Sequence, residues 1–451
     1  MFPQKYGRLE DTLPLVRCNF LTLSLAGETK VKAMHINRSL YIAAGLAVVI
    51  AACSPSLSVD TLNDDPGTSA EKQSESIEAP TAIESVDDSS NESIAPAELP
   101  EEPPPRGAER EFSTDFSKRS IAYSEILSGG PPKDGIPAID NPQFITVSEA
   151  DEWLEDLEPV TVFEAGGETR IYPLQIMIWH EIVNDIVGGQ PVTVTYCPLC
   201  NTAIVFDAMV DGRRLDFGTT GRLRFSNLLM YDRQTESWWQ QATGDAVIGE
   251  LLGTQLTFLP AASIAWSEAA ESFPDAQVLS RETGYSRNYG SNPYVGYDSI
   301  NSSPFLYDGP ATPGRLLPMA RVTTVDLNGE AVAYPNDVLV EQGVVNDTVG
   351  GTEVVVIWQQ GLASALDSGS LAQGQDVGSN GVFERTVDGR LLTFSLSGDT
   401  ITDDQTGSSW NILGEAIDGE LEGKSLTPLV KVDHFWFSWA AFRPDTRVYQ
   451  P

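Results

Sequence analysis

The sequence predicts a β-dominated α+β fold of two pseudo-symmetric, mostly antiparallel repeats with short helices, carried after a disordered N-terminal tether. Three observations predict it. First, Val183-Asn184-Asp185-Ile186-Val187-Gly188-Gly189 recurs as Val345-Asn346-Asp347-Thr348-Val349-Gly350-Gly351, and both copies run into an apolar strand, at 192–196 and 354–358. Second, Asp-Gly and Gly-Gly pairs separate short runs rich in Val, Ile, Thr and aromatic residues, which favours hairpins over helical crossovers. Third, the composition changes at Phe112. Residues 54–111 contain no aromatic side chain, whereas Trp, Tyr and Phe reach core-forming density beyond.

In chain order, residues 1–33 read as a leader from a start site placed too early, with Met34 the real start. Residues 34–53 have the form of an export signal: Arg38 precedes an apolar run at 40–52, which is too short to span a bilayer comfortably. The run ends Ile50-Ala51-Ala52-Cys53, which resembles a lipoprotein lipobox. That resemblance implies lipidation at Cys53 and anchoring to a bacterial membrane, facing periplasm or cell exterior. The other reading is an uncleaved signal anchor. Residues 54–111 hold 15 acidic and three basic side chains. Such a stretch buries too little apolar surface to offset its ordering entropy, so an extended acidic tether is expected. The whole chain of 451 residues has a formal net charge of −36. That charge repels nucleic acid and anionic lipid, so the bilayer is reached only through Cys53.

Residues 112–159 form a lead-in, 160–280 repeat one, 281–321 a linker rich in Tyr, Pro and Gly, and 322–451 a degenerate repeat two. In repeat one, strands are expected at 160–165 and 168–172, followed by a helix at 173–184. Further strands are expected at 192–197, 201–207, 214–218 and 227–232, then an irregular Trp-rich piece and a helix at 263–272. Further matches support the repeat, such as Val210-Asp211-Gly212-Arg213 with Val387-Asp388-Gly389-Arg390. Asp232-Arg233-Gln234-Thr235 resembles Asp404-Gln405-Thr406 with a one-residue slip.

The chemistry concentrates at Cys197-Pro198-Leu199-Cys200, between two β-rich runs. Pro198 has no amide hydrogen and breaks the ladder, so the turn holds both sulfurs together. Carrying the repeat register across, His180 faces Gln342, Cys197 faces Gln359 and Cys200 faces Leu362. All three are absent from repeat two, so they are expected to act together and to be dispensable for the fold. Two thiolates and an imidazole form a three-ligand set for one transition metal ion, with copper, zinc or iron all open. Glu181 faces Gly343 and joins them as a base or supporting group. Asn184 and Asp232 have counterparts in repeat two, which favours structural roles. Tyr285 and Tyr289, with Tyr294 and Tyr297, line a cleft between the repeats or seal a loop. His434 reads as surface or core.

The run Asn184-Asp185, Gly188-Gly189 and Tyr196-Cys197-Pro198-Leu199-Cys200-Asn201-Thr202-Ala203, with Met230-Tyr231-Asp232-Arg233-Gln234-Thr235 and the Tyr-rich 284–297, resembles a bacterial family catalogued as domain of unknown function 3179. The resemblance implies an exported protein and supplies no mechanism. Beside metal binding, two readings of the pair stay open. One is thiol–disulfide exchange, since an exported compartment is oxidising. The other is a permanent structural disulfide in a non-catalytic surface binding protein.

Overall fold

The computed structural model describes residues 99–312 and 314–451. The leader at 1–33, the signal at 34–53 with Cys53, and the tether as far as residue 98 lie outside the described residues. Residues 99–111, expected to end the tether, pack on the fold instead. Glu102 accepts the backbone N–H groups of Tyr123 at 3.1 Å and Ser124 at 2.7 Å. The short helix Ala108–Glu111 buries Ala108, and Glu111 pairs with buried Arg222 at 3.2 Å. Two of the acidic side chains that made this stretch read as tether, Glu102 and Glu111, find donors on the folded surface.

Each repeat builds the same three sheets in the same order. In the first sheet, the hairpin Pro159–Ala165 and Glu168–Pro173 is flanked by Ala262–Ala265 and Gln277–Leu279. Its counterpart pairs Arg321–Leu327 and Glu330–Pro335 with Val432–Phe435 and Arg447–Val448. Each of these sheets contains one parallel pairing, made by its last strand in sequence, and the other pairings are antiparallel. The lead-in supplies the edge strand Phe144–Thr146, so it is part of repeat one's architecture.

In the second sheet, Ile182–Val187, Gln190–Cys197 and Thr202–Asp207 correspond to Val344–Val349, Thr352–Gln359 and Ser379–Glu384. In the third, Phe217–Arg224, Asn227–Asp232, Trp238–Gln240 and Asp245–Ile248 correspond to Phe394–Ser397, Thr400–Asp403, Ser409–Trp410 and Ala416–Asp418. Two seven-residue helices also recur: Leu174–His180 with Asn336–Gln342, and Trp266–Ser272 with Trp436–Phe442.

The recurrent motif is explained by what it holds. Asn184 donates to the Phe217 carbonyl at 2.8 Å and accepts the Phe217 N–H at 2.9 Å, which clamps the second sheet to the third. Asn346 does the same to Phe394, at 2.8 and 2.9 Å. The Tyr172 hydroxyl donates to Asp185 at 2.7 Å, as Tyr334 does to Asp347 at 2.9 Å. Gly188 and Gly350 need to be glycine because a Cβ would meet the carbonyl oxygen of Ala165 at 2.0 Å or of Leu327 at 2.1 Å.

Four expected elements are corrected. The helix at 173–184 ends at His180, because Glu181 takes φ 60° and the β-branched run Ile182–Val187 follows as a strand. The Trp-rich piece is a strand, Trp238–Gln240, whose side chains are all buried and whose pairing with Asp245–Ile248 shifts register between Trp238 and Trp239. The helix at 263–272 is a strand, Ala262–Ala265, and then the helix Trp266–Ser272. Asp232 corresponds to Asp403 without a slip: each accepts a tryptophan indole N–H, from Trp239 at 3.0 Å and Trp410 at 3.1 Å, and caps the Thr three residues on.

One core joins the repeats. Tyr172, Met177 and Val194 of repeat one pack in the same cluster as Leu366, Phe435 and Phe437 of repeat two. Burying a side chain such as Val194 is worth about 2 kcal/mol.

Candidate functional site: a buried dithiol

Cys197 ends the strand Gln190–Cys197, and Pro198–Cys200 forms one tight 3₁₀ turn capped by Asn201 at φ 53°. The turn brings both sulfurs to one carbonyl. Sγ of Cys197 lies 4.0 Å from the Ser226 oxygen, and Sγ of Cys200 lies 3.6 Å from it. Both are free thiols, 2% and 0% exposed.

The two sulfurs are not equivalent. Asn227 Nδ2 donates to Cys200 Sγ at 3.3 Å. Its amide is pinned, with Nδ2 also on Gln241 at 2.8 Å and Oδ1 accepting from Gln240 and from Ala242 N–H at 3.0 Å. The buried Ser438 hydroxyl, on the last helix of repeat two, makes no hydrogen bond among the described residues and lies near enough to the same sulfur to favour its ionised form. Burial pushes the Cys200 thiol up, but the polar groups beside it, Cys197, Ser438 and the Asn227 amide, outweigh it and hold it below the ordinary thiol range. Cys197 is pushed well up, first by burial and then by donating to Cys200. The protons therefore belong to the pair, and Cys200 is the member that ionises first.

Strained backbone converges here. Phe225 at φ 53° and Ser226 at φ 66° form the hairpin turn that carries the facing carbonyl. Left-handed φ is unusual for a side chain as bulky as Phe, and such strain clusters at functional sites. Glu181 is held at φ 60° where repeat two has Gly343 at φ 66°. The Tyr196 N–H donates to the Glu181 carbonyl at 2.8 Å, which sets Glu181 across the strand from the residue before Cys197. Its carboxyl is buried and makes no hydrogen bond among the described residues; burial pushes its pKa up to about 8.

The expected ligand set of His180, Cys197 and Cys200 is not assembled. His180 is buried at its helix end, with Nδ1 2.8 Å from the Pro137 carbonyl and Nε2 2.7 Å from the Tyr289 hydroxyl. A carbonyl only accepts, so Nδ1 carries the proton and Nε2 accepts from Tyr289. Burial lowers the His180 pKa, which keeps the ring neutral. Both ring nitrogens are occupied by hydrogen bonds that register alone does not reveal. Among the described residues no group of three or more His, Cys, Asp or Glu side chains is placed to hold a metal ion. Tyr285 sits 5.5 Å from the His180 ring, half exposed. Asn184 and Asp232 do the structural work described above. His434 is core: Nδ1 lies 2.8 Å from Thr202 Oγ1, and burial drives its pKa down to about 3.

The register argument also ends three residues earlier than expected, at Cys197 and not at Cys200. Cys197 does match Gln359, as the last residue of its strand. Cys200 has no counterpart, because a loop at 360–378 replaces the tight turn at 198–201.

Cover is provided by the Tyr-rich linker, which seals the site. The Tyr297 hydroxyl donates to the Leu199 carbonyl at 3.0 Å, and Ser226 Oγ donates to the Phe305 carbonyl at 2.5 Å. Repeat two's long loop holds this cover from behind, through Asn292 N–H to Gly369 at 3.0 Å and Gly296 N–H to Asp367 at 2.7 Å. The two cavities lined by the most apolar residues, of about 640 and 350 Å³, touch none of Glu181, Cys197 and Cys200.

Sequence reasoning missed Ser226, Asn227 and Ser438. The signal for Asn227 was faint: a run of side-chain amides, Gln240 and Gln241, in an otherwise apolar stretch.

Fold and site together define a two-repeat, β-dominated protein with a buried dithiol in its first repeat. The chain belongs to a family described as Protein of unknown function (DUF3179), whose model matches residues 133–446. No curated protein and no solved structure matches it.

Proposed function

We propose that this protein is an exported lipoprotein, anchored through Cys53, whose Cys197–Cys200 pair is a reversible dithiol–disulfide centre. The single observation that carries the reading is the inequality of the two thiols: Asn227 donates a side-chain hydrogen bond to Cys200 Sγ and helps hold that thiol low, whereas burial pushes Cys197 well up. Permanent cystines need no such arrangement. Hydrogen bonds that stabilise the Cys200 thiolate favour the reduced state, so the oxidised pair acts as an electron acceptor. The oxidising compartment expected from the export signal supplies the other half of the cycle. A closed cover favours small thiol reagents, or a partner that lifts the Tyr297–Leu199 and Phe305–Ser226 contacts.

The test is a titration of the full chain across glutathione redox buffers, with alkylation and mass measurement of Cys197 and Cys200. A two-electron transition at a defined midpoint is expected. A pair that stays reduced, or stays oxidised, across the whole range overturns the reading. So does a tightly held stoichiometric metal, copper, zinc or iron, that blocks oxidation in protein purified without chelator.

A further inference from the structure

We propose that the larger cleft between the two repeats, of about 640 Å³, binds a small planar aromatic anion. The cleft touches neither cysteine, so this role stands apart from the redox reading.

The repeats are joined crosswise. Ala262–Ala265 of repeat one lies against Ser379–Glu384 of repeat two, and Val432–Phe435 of repeat two lies against Thr202–Asp207 of repeat one. That exchange leaves two clefts in equivalent places. The smaller, of about 350 Å³, is lined by Val162, Phe163 and Glu164 of repeat one together with Leu413 and Leu426 of repeat two. The larger is lined by Thr324, Val325 and Asp326 of repeat two together with Thr243 and Leu256 of repeat one. These positions correspond. The strands Pro159–Ala165 and Arg321–Leu327 match residue for residue. The Leu256 N–H donates to the Gly244 carbonyl at 2.9 Å, as the Leu426 N–H does to Gly414 at 2.8 Å. Each cleft is therefore a control for the other.

The larger cleft is furnished differently. Thr243 stands where the smaller has Leu413, which frees volume. Phe258, Trp439 and Phe442 line it, at positions held by Pro428, Ala269 and Ser272 in the other copy. A gap between packed layers forfeits dispersion contacts, and Phe258 and Phe442 are left only half-buried. Rings beside an open slot present faces and edges on which a planar ring packs. The volume lies within the range of small-molecule sites.

Arg443 supplies the polar group, where the smaller cleft has Phe273. Its Nε donates to Asp326 at 3.0 Å and its Nη1 to the Phe442 carbonyl at 3.3 Å. Nη2 makes no hydrogen bond among the described residues, so a guanidinium donor remains for an anionic oxygen. Glu164 holds the place of Asp326 in the smaller cleft, so the acid is common to both and the cation is what the larger one adds. On a chain of net charge −36, a cleft whose acid is neutralised is where an anion can enter.

The experiment titrates the full chain with two fluorescent probes, 8-anilino-1-naphthalenesulfonate and N-phenyl-1-naphthylamine, which has the same rings without the sulfonate. Wild type is expected to bind the sulfonate saturably, with one probe per chain. Arg443→Phe, which copies Phe273, should weaken the sulfonate about tenfold and leave the uncharged probe unchanged. Thr243→Leu and Phe442→Ser, which copy Leu413 and Ser272, should each weaken both probes about tenfold. No saturable binding by wild type overturns the site. Unchanged affinity for both probes in the folded cleft variants overturns it too, because the probes then sit elsewhere. Equal losses of the two probes in Arg443→Phe, or no loss of the sulfonate, overturn the anionic class of ligand. Phe442→Ser keeps the test open should Thr243→Leu not fold.

Discussion

Repeats one and two share three sheets, two short helices, the Asn clamp, the Tyr–Asp bond and the Asp–Trp cap. They differ around the dithiol. Repeat one has Glu181 where repeat two has Gly343, a tight Cys-Pro-Leu-Cys turn where repeat two has a long loop, and Gln241 where repeat two has Ile412 after the matched Trp410. What both copies keep is what the architecture requires. What one copy keeps at a cost in strain and buried polarity is what its chemistry requires. Repeat two is more than a spare copy, because its loop holds the cover and its last helix brings Ser438 to the sulfur.

The comparison can be broken first at the clamp. Asn184→Ala leaves the Phe217 N–H and carbonyl, and the buried Thr193 hydroxyl, without their partner. A loss of about 3 kcal/mol is expected in urea unfolding, against about 2 kcal/mol for the less buried Asn346→Ala. A negligible cost in repeat two would refute the shared clamp. Next come the two corners. Gly343→Glu should cost about 2 kcal/mol, since its Cβ meets Leu396 Cδ2 at 2.4 Å in a left-handed position. Glu181→Gly should gain about 1 kcal/mol, read as a higher Tm. Equal signs for the two substitutions would remove the strain argument.

A third effect depends on pH. The Glu181 carboxyl is raised from 4.5 to about 8 in the folded chain. The folded state therefore binds the extra proton between those values, and stability falls as pH rises through that window. The unfolding free energy of wild type should drop relative to Glu181→Gln between pH about 4.5 and 8, by about 4 kcal/mol at the upper end. A constant difference would place the carboxyl in water. The smallest effect concerns His180→Gln, which copies repeat two. It should weaken the tie to Tyr289 by about 1 kcal/mol and leave the redox midpoint of the pair unchanged. A moved midpoint would return His180 to the sulfur site.

Much of the architecture was legible because it is local. Asn-Asp and Gly-Gly recur at fixed offsets, alternation marks the strands, and a Pro between two cysteines forces a turn. These patterns determined the repeats, the β-rich class and the closeness of Cys197 to Cys200. Only the tertiary structure decided what the side chains meet. His180 and Cys197 lie 17 residues apart in sequence, and whether a ring turns to a sulfur or to Pro137 and Tyr289 depends on segments far from both. Likewise Asn227 and Ser438 reach Cys200 from a hairpin and from the other repeat. Periodicity records which face of an element is buried, but it carries no information about which distant group that face is buried against.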